Sequence, residues 1–216
     1  MQTRNGDRLA VVLVMVCVAA AGCGSAKPNT APATHAPSGA GSAANTPTAA
    51  GSNEAPVAPE SNPPGDIPDN QAFVAYRSDP GGFQVKVPEG WARADSAGDV
   101  TFTDHLNTIQ LTWQAASSPP SVDRANAVDV PALQRSQPAF QLTRVTTVSL
   151  PGGPAVLIEA QENSPPNSVT GRRYRLDVQR YLFGKGGQQA VLLLSSPVGA
   201  DNVDPWKMVS ESFRWR

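Results

Sequence analysis

His105 is the one histidine in the aromatic-rich part of the chain, and Asp99 and Asp104 lie close to it in sequence. A histidine beside carboxylates could act as the base of a Ser/His/Asp triad, with the acid holding its ring. No Gly-x-Ser-x-Gly elbow occurs in the chain to supply the nucleophile. His105 instead falls in Asp104-His105-Leu106-Asn107, which reads as a turn between two alternating segments. Glu159 and Glu162 could form a carboxylate pair, but three apart at a strand's end they point to opposite faces. Gly184-Lys185-Gly186-Gly187 lacks the earlier glycine and the following Ser/Thr of a phosphate loop, and a hairpin turn explains it. No spacing of His, Cys and carboxylates matches a metal site, so neither a metal nor any other cofactor is expected. The unusual polar run is Arg172-Arg173-Tyr174-Arg175. On a strand, Arg173 and Arg175 share a face with Asp177 and Gln179, while Tyr174, Leu176 and Val178 take the other, which Arg180 joins near the far end. Arginine forks suit phosphate, so Arg173 and Arg175 are the candidate pair for an anion or an acidic partner. The competing reading is a solvated face with cross-strand charge pairs.

The elements that would position these residues read mostly as strands. Phe83, Val85 and Val87 alternate with Gln84 and Lys86, and Ile109, Leu111 and Trp113 alternate with Thr108, Gln110 and Thr112. Val100 and Phe102 follow the same period of two, the mark of strands with one wet face. Arg144–Leu150 and Ala155–Ala160 flank Pro151-Gly152-Gly153-Pro154 and read as a hairpin. Arg172–Phe183 reads as one long strand, turned by the glycines into Gln188–Ser195. A short helix is expected around Pro131–Gln137. A second is expected near the C-terminus, with Asp204 as cap and Pro205 at the first helical position. Trp206, Val209 and Phe213 then share one face, and Asp201 and Asp204 favour the helix dipole. Short turns between successive strands imply an antiparallel sheet, and helices set apart from it imply an α+β class.

Composition sets the organisation around this domain. The 216 residues carry 17 Lys and Arg against 18 Asp and Glu, which argues against a nucleic-acid partner. Arginine outnumbers lysine 13 to 4, as in GC-rich genomes such as those of actinobacteria. All phenylalanines, tyrosines and tryptophans lie between Phe73 and Trp215. Residues 24–70 are mostly Ala, Pro, Ser, Thr, Gly and Asn, with Val57 and Ile67 as their large aliphatics. Such a segment cannot bury enough apolar surface to offset the entropy of ordering it, so a disordered tether without core contacts is expected over 23–70. The domain is then expected over 71–216. His35, in the tether, should be solvated.

At the other end, Arg4 and Arg8 precede the apolar run Leu9–Ala21, which is shorter than the roughly 20 residues a spanning helix needs. A basic head, a short apolar core and small residues describe an export signal over 1–22. Cys17 leaves with the signal, so the domain has no disulfide. Ala20-Ala21-Gly22-Cys23 resembles the bacterial lipobox. That resemblance implies lipid attachment at Cys23 and a place on the outer face of the cell membrane, where two acyl chains hold a protein firmly.

Gly82-Phe83-Gln84-Val85-Lys86-Val87-Pro88-Glu89-Gly90-Trp91 resembles the opening of Mog1/PsbP-like domains, and Ser212-Phe213 after a terminal helix is similar to their close. With the lipobox and the Pro/Ala tether, the whole resembles actinobacterial lipoproteins of the LpqN kind. The resemblance implies a non-catalytic domain that binds or scaffolds an envelope protein or glycolipid. The alternative from the residues alone is a carrier or sensor of an apolar or anionic small ligand. A hydrolase would need His105 as its base. Anchoring is expected to depend on Cys23. In metabolic palmitate labelling, Cys23→Ser should abolish the label and leave uncleaved precursor or release the protein; unlabelled mutant retained normally at the membrane would contradict the anchor.

Overall fold

The structure, a computed structural model, describes residues 54–216. The expected signal at 1–22, Cys17, Cys23, His35 and the tether up to residue 53 lie outside the described residues. Three layers build an α+β fold. Strands β1 (Phe73–Ser78) and β2 (Phe83–Pro88) form a small antiparallel sheet, which the terminal β10 (Arg214–Trp215) joins on the other side of β2. The main sheet holds β3 (Ala92–Ser96), β4 (Asp99–Asp104), β5 (Asn107–Ala115), β6 (Gln141–Leu150), β7 (Gly153–Asn163), β8 (Arg175–Lys185) and β9 (Gln188–Pro197). Its order is β3-β4-β5-β9-β8-β7-β6, antiparallel throughout.

Period-two alternation becomes burial as expected. In β5, Asn107, Ile109 and Leu111 are buried while Thr108, Gln110 and Thr112 are half-buried on the other face. Strand β3 (Ala-Arg-Ala-Asp-Ser) is exposed along its whole length and has no large apolar side chain to mark it in the sequence. Strand β8 begins at Arg175, three residues later than expected, because Ser164 Oγ and O take the backbone N–H of Tyr174 and a guanidinium N–H of Arg173.

Helical structure on one side of the main sheet runs over 122–136, earlier and longer than expected. Ser121 caps it, its hydroxyl accepting from the Arg124 N–H at 3.2 Å. An α-turn, α1 (Val122–Arg124), passes into a π-turn (Ala125–Asp129) and then into α2 (Val130–Ser136). Pro131 cannot donate to the turn before it, and the wider π-turn lies at that break. Ala125 and Val130 pack on Val156, Ile158 and Leu182 of the sheet.

The opposite face of the main sheet meets the small sheet and helix α3 (Val203–Ser212). Phe83, Phe183 and Phe213 are fully buried between them. The Phe183 and Phe213 rings stack at 4.0 Å, and Phe83 and Phe213 at 5.4 Å. Trp206 and Val209 are buried with Phe213, as their spacing predicts, and Trp91 meets Trp206 edge-on at 6.3 Å. The turn β6–β7 passes so close that a Cβ on Gly152 would come within 2.5 Å of the Phe213 carbonyl oxygen. Asn202, not Asp204, occupies the cap position of α3; Asp204 lies in the first turn.

Asn202 makes no side-chain cap bond to α3, because its amide is committed elsewhere. It accepts from the Ile67 N–H at 2.8 Å and donates to the Gly65 carbonyl at 2.8 Å and to Asn107 Oδ1 at 3.1 Å. This corrects the expected boundary at Gln71. Residues 54–70 run against the domain, and Ile67 is buried in its main core, only 5 % exposed. Asn163 bonds Glu54, Ala55 and the Val57 N–H, and Asp66 accepts from the Asp201 N–H at 2.9 Å. Proline-rich composition hides this because the energy comes from one isoleucine and from carbonyls that partners 42 to 137 residues away satisfy. Truncation to Gln71, or Ile67→Ala alone, should cost about 2–4 kcal/mol and lower Tm by about 5–15 °C. Calorimetry finding the truncated chain as stable as one starting at Glu54 would return the boundary to Gln71.

Candidate functional site

The sheet face that carries the 122–136 helix is only partly covered by it. The helix lies over β6, β7 and β8, and a groove of about 530 Å³ opens where it ends and β9 and β5 continue. Leu133, Ile158, Leu182, Val191 and Leu193 give the groove an aliphatic wall. Thr108, Gln110, Thr112 and Gln114 line the other side, one polar residue at every second position of β5. The Gln110 side-chain amide donates a hydrogen bond to Asp99 Oδ2 at 2.5 Å, and Thr101 donates to the other oxygen of Asp99.

Between these walls lies Arg180. Its side chain is 7 % exposed and pairs through Nη2 with Glu162 Oε2 at 2.8 Å. Nη1 is buried and has no hydrogen-bond partner among the described residues. A buried guanidinium branch without an acceptor forfeits a hydrogen bond it could make in water, a penalty of about 1–3 kcal/mol or more. Asp129, half-buried on the helix side, also lines the groove; burial pushes its carboxyl up, with Arg124 opposing.

The residues singled out in the sequence are placed differently. Arg175 is buried, and its guanidinium donates to the Ala139 carbonyl at 2.8 Å, to Asn163 Oδ1 at 3.2 Å and to Gln141 Oε1 at 2.5 Å. Desolvation lowers its pKa, with Glu162 and Asp177 opposing. Ala139, at φ +49°, presents its carbonyl from a backbone conformation that favours glycine. Arg173 lies outside β8 and bonds Glu54 at 3.3 Å and the Ser164 carbonyl at 3.1 Å. The expected anion patch at Arg173 and Arg175 is therefore not assembled: one arginine ties the β6–β7–β8 end together and the other holds residue 54. Residues 54–60 engage the start of this run, Glu60 pairing with Arg172 and Glu54 with Arg173.

His105 occupies the two-residue turn β4–β5 at φ +50°, its side chain 71 % exposed beside Asp104 at 2.9 Å. Glu159 and Glu162 face opposite sides of the sheet: Glu159 pairs with Arg144, Glu162 with Arg180. Glu159 lines a second groove of about 440 Å³ beside α3. Tyr181, whose pKa burial raises, lines it too. Among the described residues no cluster of His, Cys, Asp and Glu could hold a metal ion, and no helix is long and apolar enough to cross a membrane.

The sequence model of a family described as the serine/threonine kinase C-terminal domain matches residues 75–203. The chain belongs to that family. The kinase C-terminal domain match runs from within β1 to the first residue of α3. It thus takes in the whole main sheet, the 122–136 helix and the groove, and leaves out Trp206 and Phe213. No curated protein sequence matches the chain. Among solved structures, this kinase C-terminal domain chain is similar to PsbP of the cyanobacterium Synechocystis, at 15% identity over 70% of this chain and 98% of that one, with a TM-score of 0.47. The Ran-binding protein Mog1p of Saccharomyces cerevisiae gives 9% identity, 68% and 96% coverage and a TM-score of 0.45. LpqN of Mycobacterium tuberculosis, involved in cell envelope biogenesis, gives 15% identity, 68% and 91% coverage and a TM-score of 0.40.

The two arginine environments make a contrast that a stability measurement reads. Arg175→Met takes the donor from the buried Ala139 carbonyl and one of two donors from Asn163 Oδ1, and should cost about 1–3 kcal/mol in urea unfolding. His105→Ala should change stability by under about 0.5 kcal/mol. Equal effects from the two would refute these assignments.

Proposed function

We propose that this chain is a lipid-anchored protein of the cell envelope whose domain binds a partner and catalyses nothing. The observation that carries the reading is the groove beside the 122–136 helix: an aliphatic wall, a polar wall and a buried arginine with a free donor converge there. Pockets of that make-up bind ligands. The space between the two sheets, by contrast, is filled by Phe83, Phe183 and Phe213, which argues against a carrier that encloses its cargo. The family description supports a binding role, since a domain named as the C-terminal part of a kinase is an accessory to the transferase. His105, solvated in its turn beside Asp104, lacks the burial of a working base. The anchor rests on Cys23 and on the export signal before it, and residues 24–53 would space the domain from the membrane.

Affinity purification of the anchored full chain from detergent-solubilised envelope tests this reading. Thr112 is half-buried on the polar wall of the groove, and Thr112→Arg places a bulky cation there without touching the core. A partner should accompany the unmodified chain and be at least about tenfold depleted with Thr112→Arg. An identical set of proteins with both chains would move the binding surface elsewhere.

A further inference from the structure

Strand register puts Arg180 in the middle of the groove floor. Thr101, Gln110, Leu193, Arg180, Ile158 and Val145 form one row across β4, β5, β9, β8, β7 and β6. Thr101 and Gln110 form the polar end of the row, and Arg180 stands further in, flanked by the aliphatic Leu193 and Ile158. We infer that the groove takes an uncharged aliphatic peptide segment, one of whose backbone carbonyls accepts a hydrogen bond from Nη1 of Arg180. This rests on the reading of the domain as a binding module.

Charge decides the class of ligand. Glu162 at 2.8 Å already neutralises Arg180, and the other ionisable group lining the groove is the acid Asp129. An incoming anion would therefore meet a carboxylate at the donor it seeks, in a site where water screens little. An incoming ammonium or guanidinium carries donors only and offers Nη1 no acceptor. Nη1 needs an acceptor that carries no net charge, and an amide carbonyl is one. The walls supply the rest. Threonine and glutamine side chains on alternate residues of β5 repeat at about 6.8 Å, the repeat of an extended peptide, and glutamine both donates and accepts as a backbone amide requires. Leu133, Ile158, Leu182 and Val191 offer an aliphatic surface and no aromatic ring lines the groove for a sugar to stack on. Reaching Nη1 asks the side chains over it to change rotamer, a common adjustment on binding.

The test follows backbone amides by NMR in the full chain, purified from membranes in detergent. Three probes are titrated: leucyl-leucine capped at both ends, the same dipeptide with a free carboxylate, and N-acetylglucosamine. The capped peptide should shift the amides of Arg180, Leu193 and Leu133 and bind about tenfold tighter than the free acid. Arg180→Met combined with Glu162→Gln removes both charges together, which cores commonly tolerate. The double variant should weaken the capped peptide about tenfold, and Arg180→Lys, which keeps the charge without the second branch, should weaken it as well. If the free acid or the sugar binds best in the groove, the ligand class is wrong while the binding-module reading stands. If no probe moves the groove amides, or if the variants bind the capped peptide unchanged, Arg180 and Glu162 are a structural ion pair and the inference falls.

Discussion

Phe213 is the constraint on which the rest of the molecule depends. Its ring stacks between Phe83 of the small sheet and Phe183 of the main sheet, and all three are fully buried. Its carbonyl lies where a β-carbon on Gly152 would collide, so the β6–β7 turn must carry glycine there. Its position at the end of α3 leads directly into β10, which closes the small sheet against β2. A chain that lost this ring would lose the joint between its two sheets, and with it the flat support behind β8 and β9. The groove is built on the opposite face of those same strands.

That arrangement fills the centre of one face with Phe83, Phe183 and Phe213 and leaves that face open only beside α3, where Glu159 and Tyr181 line the smaller groove. Among the described residues the helix side has one short helical segment, and a sheet of seven strands is wider than one helix can cover. The uncovered strands β4 and β5 therefore carry threonine, glutamine and aspartate on that face, and the boundary between covered and uncovered strands becomes the groove. Arg180 sits at that boundary with its charge met by Glu162 and one branch unmet.

How much of this was legible in the sequence follows from the length scale of each signal. Strands β2, β4 and β5 are written in local alternation, the β6–β7 hairpin and β9 in apolar or β-branched runs bounded by glycine turns, and the buried face of α3 in helical spacing; β6 and β7 extend beyond those runs. The β3 edge alternates only alanine with charge, too weak an apolar signal to mark a strand. The roles of Asn202 and Ile67 are invisible locally, because each depends on a partner 135 residues away in the chain. The same is true of Arg175, whose acceptors come from the segment before β6 and from β6 and β7. An arginine-rich run announces charge but not whether the fold will consume it. Arg180 was visible as a charged residue on the Leu176 and Val178 face of a strand, which is the pattern of an ion buried for a reason. Its pairing with Glu162 and its place under a helix edge required the register.

The account's central claim is that the helix-side groove, and not the α3-side groove, is the binding surface of the anchored protein. A photo-crosslinking amino acid at Gln114, exposed on the groove's polar wall, and another at Thr143, beside the α3-side groove, compare the two directly in intact envelope. The account predicts a discrete adduct from Gln114, reduced by excess capped dipeptide, and none from Thr143. Adducts from Thr143 alone, or a Gln114 adduct that the peptide leaves unchanged, would contradict it.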